Sequence, residues 1–395
     1  MSSVLVINSG SSSFKYQLID AQSEERLASG LVERIGDSSG HAMHETPEGH
    51  WERSLEIADH TAGFGVMTDA FAEHGPSLDE HPPVAVGHRV VHGGARFFEP
   101  TLVTPLVLIN IEDLSELAPL HNPANVQGIR AALKVFPDLP QVAVFDTAFH
   151  QTMPPDAYTY ALEASIAERY RIRRYGFHGT SHKYVSEAAA RFLDRPLTEL
   201  KQIVLHLGNG ASVCAIERGR SVDTSMGFTP LEGLVMGTRT GDIDPAVLLY
   251  LQRKTRIDVD DLDDLLNKKS GVLGISGHQD MRDLTKAADA GDERARLALG
   301  VYVRRIKRYV GAYIAELGGV DVITFTAGVG ENSAVVRAKA LAGLEWLGIE
   351  VDADRNEARS AGPRLISTEE SRTAVLVVPT DEELEIARQT LRVVG

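Results

Sequence analysis

Residues 4–20, VLVINSGSSSFKYQLID, decide the fold that this chain is predicted to adopt. An apolar run leads to Asn8, a Gly/Ser segment follows at residues 9–13, and a second run alternates apolar with polar side chains. This is the pattern of two strands joined by a tight loop. The same order returns in QIVLHLGNGASVCAIERG, residues 202–219, which predicts a duplicated domain. On local evidence the Gly/Ser segment fits both a plain hairpin turn and a phosphate cradle.

Strand-like runs alternate with helical patterns along the chain. The strand-like runs are residues 4–8, 84–92, 141–146, 202–208, 212–217, 320–328 and 373–379. Helical spacing is clearest over residues 294–317, where Arg305 and its basic neighbours are expected on a solvated face. Thr380 and Glu383 form a capping-box pattern at the start of the last helix. The alternation predicts an α/β protein. A length of 395 residues predicts two or three domains, and the chain is expected to cross from the first half to the second at residues 150–158.

The amino-acid composition favours some classes of protein function and argues against others. Hydrophobic residues make up 43% of the chain, as in a globular enzyme, and the formal net charge of −15 argues against a nucleic-acid surface. Cys214 is the only cysteine, so no disulfide forms within the chain, which fits a reducing cytosol. Because neither a charged leader nor a run of about 18 apolar residues occurs, we expect a cytoplasmic protein without a membrane span.

Three Gly-rich loops follow strand-like runs, at residues 9–13, 208–212 and 326–333. Glycine lets backbone N–H groups approach an anion closely, although each loop by itself is more typical of a tight turn. No Walker pattern and no dinucleotide-binding glycine pattern occurs, so three loops together favour a different kind of nucleotide site. In an extended strand Ser11, Ser13 and Lys15 share one face, where Lys15 is a phosphate ligand or an ordinary solvent-facing residue.

Two charged residues lie within strand-like runs that precede the Gly-rich loop at residues 208–212. In VGHRVVHGG, Arg89 and Val91 share one face of the predicted strand. An arginine beside a small apolar side chain suits a small molecule with an anionic head and a short tail, whereas the alternative is a surface arginine on an edge strand. Asp146 ends the apolar run VAVF, where catalytic carboxylates often lie at the carboxyl edge of an α/β sheet.

Three further candidates lie beside helix starts or in a Gly-rich segment. His178 precedes a helix that Thr180 or Ser181 is expected to cap, and the positive end of a helix favours an anion. Arg239 lies in SMGFTPLEGLVMGTRTGDIDP, a long Gly-rich segment of the kind that is usually functional. From spacing alone, Glu382 is no more than a favourable charge in the first turn of the last helix.

Together these segments closely resemble the acetate kinase family over nearly the whole chain. The matching motifs, in the family's order, are VLVINSGSSSFKYQLID, VGHRVVHGG, LAPLHNPAN, VFDTAFHQTMP, YGFHGTSH, HLGNGAS, DTSMGFTPLEGLVMGTRTGDIDP, DMRDL, FTAGVGENS and PTDEELEIA. The resemblance implies an α/β fold of duplicated ribonuclease-H-like (actin-like ATPase) domains with a nucleotide cleft between them. It assigns residues 1–150 plus helix 384–395 to an N-terminal acetate- and metal-side domain, and 151–383 to a C-terminal nucleotide-binding domain.

The resemblance also implies an activity, which is reversible transfer of the γ-phosphoryl group of Mg-ATP to acetate, giving acetyl phosphate and ADP. It implies a homodimer and a metal site in which Mn²⁺ can replace Mg²⁺. The implied residues are Asn8 and Glu382 for the metal; Arg89, Asp146, His178 and Arg239 for catalysis; Arg89, Val91, Leu120, Phe177 and Pro230 for acetate; and Ser11, Ser13, Lys15, His206, Leu207, Gly208, Asn209, Gly210, Asp280, Met281, Arg282, Gly328, Val329, Gly330, Glu331 and Asn332 for ATP.

Acetate is already a carboxylate at neutral pH, so Asp146 is expected to orient an arginine or a metal-bound water rather than act as a base. Two departures from the family pattern concern Asp381, where Asn is usual, and SGHQDMRDL, which is about one residue shorter than the common form. The alternatives are a propionate or other short-chain acyl kinase and, from another class, an actin- or heat-shock-like nucleotide-gated interaction ATPase.

Overall fold

The hairpin predicted from residues 4–20 opens the first of two sheets. The structure is a computed structural model that describes residues 2–395. The chain divides into a first unit, formed by the residues up to Phe149 together with Asp381–Gly395, and a second unit, His150–Thr380. Residues 381–383, grouped with the second domain in the sequence analysis, fall in the first unit because the last helix begins at Glu382.

The described residues contain fourteen strands, fifteen α-helices and four short 3₁₀ turns. The strands are β1 (Ser3–Ser9), β2 (Ser13–Asp20), β3 (Arg26–Glu33), β4 (Gly40–Thr46), β5 (Gly49–Leu55), β6 (Pro83–Val90), β7 (Thr101–Leu102), β8 (Gln141–Phe145), β9 (Lys201–Leu207), β10 (Ala211–Glu217), β11 (Arg220–Thr224), β12 (Val322–Thr326), β13 (Arg364–Leu365) and β14 (Ala374–Val377). The helices are α1 (His60–His74), α2 (Pro105–Asp113), α3 (Asn122–Val135), α4 (Pro155–Tyr158), α5 (Ala164–Arg169), α6 (Gly179–Phe192), α7 (Pro245–Thr255), α8 (Val259–Lys268), α9 (Gly271–Ser276), α10 (Met281–Asp289), α11 (Glu293–Leu317), α12 (Ala327–Asn332), α13 (Ala334–Leu341), α14 (Ala353–Glu357) and α15 (Glu382–Val394).

The two sheets repeat one topology, which confirms the predicted duplication. In the first unit the strand order is β5-β4-β3-β2-β1-β6-β8-β7, and in the second it is β11-β10-β9-β12-β14-β13. The stretch β3-β2-β1-β6-β8 corresponds to β11-β10-β9-β12-β14 in both order and direction. In each unit three strands run antiparallel as a meander, and two further strands lie parallel to the first of them.

The first strand of each sheet is buried because apolar side chains cover both of its faces. Leu5 and Ile7 of β1 pack in a core with Phe14 and Phe64, whereas Val4 and Val6 face a second cluster that includes Ile386 of α15. A strand buried on both faces reads as a continuous apolar run, which is the pattern that made β1 visible in the sequence.

Helix α15 begins differently from the predicted capping box. Asp381 is the N-cap residue, and its carboxylate accepts a hydrogen bond from the backbone N–H of Leu384 at 2.9 Å. The Thr380 hydroxyl instead pairs with the Ser181 hydroxyl at 2.8 Å. Asp and Asn cap helices about equally well, so Asp381, in place of the family's usual Asn, still stabilises the start of α15.

The close approach of α3 to β1 generates a prediction about stability. A Cβ atom added to Gly128 of α3 would lie 2.0 Å from Oγ and 2.6 Å from Cβ of Ser9. We expect Gly128→Ala to lower the free energy of unfolding by roughly 1–3 kcal/mol, because overpacking moves the end of β1. Urea denaturation measures the change.

The matched control is Gly65→Ala on α1, where an added Cβ meets nothing within 4 Å. This change removes a helix-interior glycine and is expected to raise stability by about 0.5–1 kcal/mol. Equal denaturation midpoints for the two variants would show that α3 is not held against Ser9.

Candidate active site

In the first unit the predicted charged residues meet at one edge of the sheet. β1, β6 and β8 are parallel, so their carboxyl ends lie side by side. Asn8 is near the end of β1, Arg89 is near the end of β6, and Asp146 follows β8 directly. Helix α15 packs against all three strands, and its first residue is Glu382.

Arg89 and Asp146 form a bidentate ion pair. Nε of Arg89 lies 3.1 Å from each carboxylate oxygen of Asp146, and Nη2 donates to Oδ2 at 2.6 Å. The Asp146 side chain is 1% exposed and that of Arg89 is 23% exposed. Nη1 of Arg89 forms no hydrogen bond with any described residue, so the pair fixes the guanidinium and leaves one edge for a ligand.

At this edge of the first sheet the single cation of Arg89 lies near two carboxylates, those of Asp146 and Glu382. Burial raises the pKa of Glu382 to about 7, the Arg89 cation opposes this, and the nearby carboxylate of Asp146 adds to it. Burial disfavours the charged form of Arg89, but the carboxylates of Asp146 and Glu382 outweigh that effect and raise its pKa above the ordinary value. Nε of Arg89 and Oε2 of Glu382 are 4.0 Å apart. The guanidinium is therefore permanently charged, and the Glu382 carboxylate favours a nearby cation.

The oxygen donors here suit a magnesium ion. No group of three or more His, Cys, Asp and Glu side chains in residues 2–395 is placed to share a metal. Mg²⁺ keeps several waters and takes one or two protein carboxylates plus substrate phosphates, so it does not require such a group. Because the carboxylate of Glu382 is held among other acidic side chains in a desolvated place, Asn8 and Glu382 fit this ion.

Two asparagines that the sequence analysis did not single out hold the strand ends in place. Asn125 of α3 accepts a hydrogen bond from the Val91 N–H at 3.1 Å and donates to the Ser9 carbonyl at 2.8 Å. Asn122 binds both the N–H and the carbonyl of His92, at 3.1 and 3.0 Å. Both belong to LAPLHNPAN, which was recognised only as a family motif, because spacing does not reveal a side chain that bridges two strands.

Other predicted residues of the first unit lie in the β1–β2 turn or on the surface. The Gly10 N–H donates to the Ser13 carbonyl at 2.7 Å, which closes the predicted hairpin. Phe14 is buried and Lys15 is exposed, as the predicted alternation requires, and Ser11 is exposed in the turn. Leu120, predicted for the methyl pocket, is 64% exposed.

In the second unit Arg239 and His178 converge beside the β9–β10 turn. A Cβ atom on Gly210 would lie 3.4 Å from Nη1 of Arg239 and 3.5 Å from Nε2 of His178, so glycine leaves a space that both side chains face. Nη1 of Arg239 donates to the Pro230 carbonyl at 3.2 Å, and no described carboxylate pairs with this arginine. Burial lowers its pKa. A half-buried cation without a counter-ion favours an anion beside it.

The predicted cap of α6 is wrong. His178 itself is the N-cap, in the left-handed conformation at φ 57°, and its side chain makes no capping hydrogen bond. Thr180 and Ser181 lie inside the first turn, where the Thr180 hydroxyl is buried without a partner and the Ser181 hydroxyl pairs with Nδ1 of His206 at 2.8 Å. Phe177, before the helix, is 2% exposed.

The Gly-rich segment that carries Arg239 is irregular throughout, as predicted, between Thr224 and Pro245. Arg305 of α11 holds it in place by donating to the carbonyls of Gly233 and Asp242, at 2.9 and 3.1 Å. The prediction that Arg305 lies on a solvated face is therefore wrong. Helical spacing places a residue on a face, but it does not reveal a loop that packs over that face.

A cavity of about 1170 Å³ in the second unit gathers most of the predicted nucleotide segments. Its lining includes residues 208–209, 280–282 and 328–332 apart from Gly330. Leu207 is buried in β9 and Gly330 is buried in α12. Asp280 caps α10 and pairs with Arg282 at 2.8 Å.

The third predicted loop, residues 326–333, is largely helical. Residues 327–332 form α12, and the Glu331 carboxylate accepts a hydrogen bond from the Ala327 N–H at 2.8 Å, which closes its first turn. Arg337 of α13, which also lines the cavity, donates to the carbonyls of Gly330 and Glu331 at 2.9 Å each. The glycines that suggested a loop are accommodated because these polar contacts fix the short helix.

A duplicated α/β fold with one arginine fixed at a strand end, a second beside a glycine-containing turn and a wide cavity fits a phosphotransferase. Comparison with known proteins specifies the kind. Residues 3–388 match the acetokinase family. The chain is 65% identical to the acetate kinase of Leifsonia xyli subsp. xyli over 100% of both chains, and 66% identical to that of Clavibacter michiganensis subsp. michiganensis over 98% of both. The chain belongs to the acetokinase family.

Solved structures agree with this assignment. The acetate kinase of Porphyromonas gingivalis is 44% identical, with a TM-score of 0.95 over 100% of both chains. A propionate kinase from Francisella tularensis subsp. tularensis SCHU S4 is 42% identical, with a TM-score of 0.93 over 99% of this chain and 100% of its own. The resemblance drawn from the motifs is confirmed. No helix in residues 2–395 is both long enough and apolar enough to cross a membrane.

The ion pair at the sheet edge generates a prediction. Asp146→Ala removes the bidentate partner of the Arg89 guanidinium and leaves only the more distant carboxylates of Glu382 and Glu383, so we expect the free energy of unfolding to fall by about 3 kcal/mol. Asp146→Asn keeps an oxygen acceptor and should lose less. The control is Glu112→Ala, which breaks an exposed pair with Arg130 and should cost less than about 1 kcal/mol. Similar losses for Asp146→Ala and Glu112→Ala in urea denaturation would contradict the assigned role of the buried pair.

Proposed function

We propose that this protein transfers the γ-phosphoryl group of ATP to acetate, reversibly, giving acetyl phosphate and ADP. The observation that carries the proposal is the Arg89–Asp146 pair, which fixes the guanidinium through Nε and Nη2 and leaves Nη1 without a hydrogen bond to any described residue, while Val91, two positions further along the chain, is half-buried. A cation next to a small apolar side chain suits a carboxylate with a short tail. On the family resemblance we also assign Leu120, Phe177 and Pro230 to the methyl group of acetate.

The transferred phosphoryl group is assigned to Arg239 and His178, together with Arg89. Phosphoryl transfer needs little covalent assistance, so positioning and neutralisation of charge on the equatorial oxygens dominate catalysis. Arg239 supports this role because it is half-buried and no described carboxylate pairs with it. A preorganised donor of this kind costs no reorganisation when charge develops.

Asp146 is assigned an orienting role and not that of a base. Acetate is ionised at neutral pH, so there is no proton for a base to remove. Both carboxylate oxygens of Asp146 already accept hydrogen bonds from Arg89. The side chain therefore holds Arg89 in the position that the carboxylate of acetate requires.

We assign Asn8 and Glu382 to a Mg²⁺ ion, with Mn²⁺ as a substitute. When bound, the ion would neutralise charge on the phosphate oxygens. The first unit thereby becomes the acetate and metal side, and the second becomes the nucleotide side. The cavity lined by residues 208–209, 280–282, 328–329 and 331–332 suits the nucleotide. On the family resemblance we also assign His206, Leu207, Gly210, Gly330, Ser11, Ser13 and Lys15 to ATP.

The protein's activity generates a prediction that an assay with purified enzyme tests. Incubation with Mg-ATP, hydroxylamine and acetate, propionate or butyrate should yield a hydroxamate, with the highest kcat/KM for acetate. One methylene in an apolar pocket is worth only about 1–3 kcal/mol, so propionate is the closest competitor. A higher kcat/KM for propionate would reassign the substrate, and no hydroxamate with any carboxylate would contradict the kinase activity.

The same assay tests the anion receptor. Arg239→Ala should lower kcat by about a hundredfold or more, the usual effect of removing one preorganised donor. Arg191→Ala, which changes an exposed arginine of α6, is the matched control and should leave kcat unchanged. Equal activity in the two variants would remove Arg239 from the reaction.

We further propose a cytoplasmic homodimer. The single cysteine, Cys214, is buried and unpaired, which suits a reducing compartment. Helix α7 has no buried residue and exposes Leu249 and Tyr250, at 53% and 59%. Neighbouring apolar residues exposed on one helix are typical of an interaction surface, and in this proposal a second copy of the chain covers it.

The dimer is tested by sedimentation velocity. The protein should sediment with twice the mass of the chain, and Tyr250→Glu should shift it toward the monomer. Leu297→Glu, at an equally exposed apolar position on α11, is the control and should leave the dimer intact. A monomer in the unsubstituted protein would contradict the proposal.

A further inference from the structure

Four histidines of the second unit form a cluster in which His150, His182 and His206 are buried and His178 is half-buried. His178 and His206 stack with ring centroids 4.1 Å apart, and His182 meets both His206 and His150 edge to face. Serine hydroxyls form hydrogen bonds with these rings, and one of them, that of Ser212, bonds to two rings. Ser212 of β10 is fully buried, and its Oγ lies 2.9 Å from Nδ1 of His178 and 2.7 Å from Nε2 of His182.

The Ser212 hydroxyl has one proton to share between two imidazoles. The two ring nitrogens are its only hydrogen-bond partners among the described residues. A hydroxyl donates one hydrogen bond and accepts others, so the proton positions of the two rings are coupled through this oxygen. The position of the proton on His182 therefore determines which nitrogen of His178 carries one.

The surroundings of His182 determine where its own proton lies. Burial lowers the pKa of His182 well below its usual value, and the neighbouring His150 and His206 act in the same direction, so the ring is neutral. Its Nδ1 is buried and has no hydrogen-bond partner within residues 2–395. A buried N–H without an acceptor is rarer and more costly than an unpaired acceptor, so the proton belongs on Nε2, which donates to Ser212.

The same count of hydrogen-bond donors and acceptors determines where the Ser212 proton lies. Ser212 accepts from His182, and its own O–H then has one available acceptor, Nδ1 of His178. A doubly protonated His178 would have to donate to Ser212 as well. That would leave the Ser212 O–H without an acceptor, or it would return the His182 proton to the unpartnered Nδ1.

We infer that Ser212 and His182 are positioning residues that hold His178 as the neutral tautomer protonated on Nε2. That nitrogen lies 3.5 Å from the position that a Cβ on Gly210 would occupy, and Nη1 of Arg239 lies 3.4 Å from the same position. Phosphoryl oxygens only accept hydrogen bonds, so the relay gives His178 the donor that this position requires. The inference rests on the proposed function for its catalytic meaning, whereas the tautomer itself is a property of the free protein.

Nitrogen-15 NMR of histidine-labelled protein tests the tautomer directly, because protonated and bare ring nitrogens have different shifts. His178 and His182 are assigned from the signals lost in His178→Gln and His182→Gln. We expect His178 to be protonated on Nε2 and bare on Nδ1. A proton on Nδ1, or on both nitrogens, would overturn the inference. Absence of kinase activity would contradict the proposed function and leave the NMR result standing.

Ser212→Ala should let His178 distribute its proton over both nitrogens. We expect kcat to fall about ten- to a hundredfold, as when groups that orient a metal-binding imidazole are removed, with little change in KM for acetate or ATP. His182→Gln, which keeps a donor near the position of Nε2, should retain more activity than His182→Leu. The two His182 variants also test the relay if Ser212→Ala is too unstable to study.

The matched control is Ser221→Ala. Ser221 of β11 is also fully buried and binds a histidine ring, with its Oγ 2.8 Å from Nδ1 of His150, but it lies outside the relay. This variant should destabilise the protein similarly while leaving the His178 tautomer and kcat in place. An unchanged His178 tautomer in Ser212→Ala, or an equal loss of kcat in both serine variants, would assign Ser212 a merely structural role.

Discussion

The Arg89–Asp146 ion pair is the interaction on which the arrangement of the first unit depends. Asp146 is almost fully buried, so its carboxylate requires a charged partner, and only a specific strand register provides one. In the β6–β8 pairing Arg89 lies opposite Val144, and the N–H of Asp146 donates to the Val90 carbonyl at 3.0 Å. A shift by one residue would turn Arg89 to the other face of the sheet. The parallel sheet thus fixes the charge pair, and the charge pair fixes the register.

The second unit reuses the same strand topology for a different electrostatic purpose. At the end of β6 a cation is held by a carboxylate, whereas beside the β9–β10 turn Arg239 has none. A fixed pair presents a directed edge of a guanidinium to a small anion. An uncompensated cation attracts a more highly charged group. Duplication supplied the scaffold twice, and the local side chains gave each copy its own ligand chemistry.

Much of the fold could be predicted because its central strands are buried on both faces. The run before Asn8, the repeat at residues 202–219 and the helix over residues 294–317 all correspond to observed elements. Strands β3, β4 and β5 were not identified, since they run toward a sheet edge and β5 is mostly exposed and polar. Hydrophobic periodicity in the sequence reflects which side chains are buried, and an edge strand buries few of them.

The candidate site was predicted less completely, for a different physical reason. Charged residues such as Arg89 and Asp146 are visible in sequence because they end apolar runs. Asn125, Arg305 and Ser212 act through hydrogen bonds to groups 30 or more positions away, including Asn125 to Ser9 and Arg305 to Gly233. No local spacing encodes such a contact. The same limit explains the wrong caps at Thr380 and Thr180, because the choice among neighbouring hydroxyl and carboxylate side chains depends on tertiary partners.

Helix α15 has a consequence for the order in which the protein folds. It follows the entire second unit in the chain, yet it covers the first sheet so closely that a Cβ on Gly87 would lie 2.3 Å from the Thr390 hydroxyl. During synthesis Val4 and Val6 therefore remain without the cover of Ile386 until the second unit has been made. A ribosome-bound chain would expose this apolar face for most of its elongation, which makes it a natural site for chaperone binding.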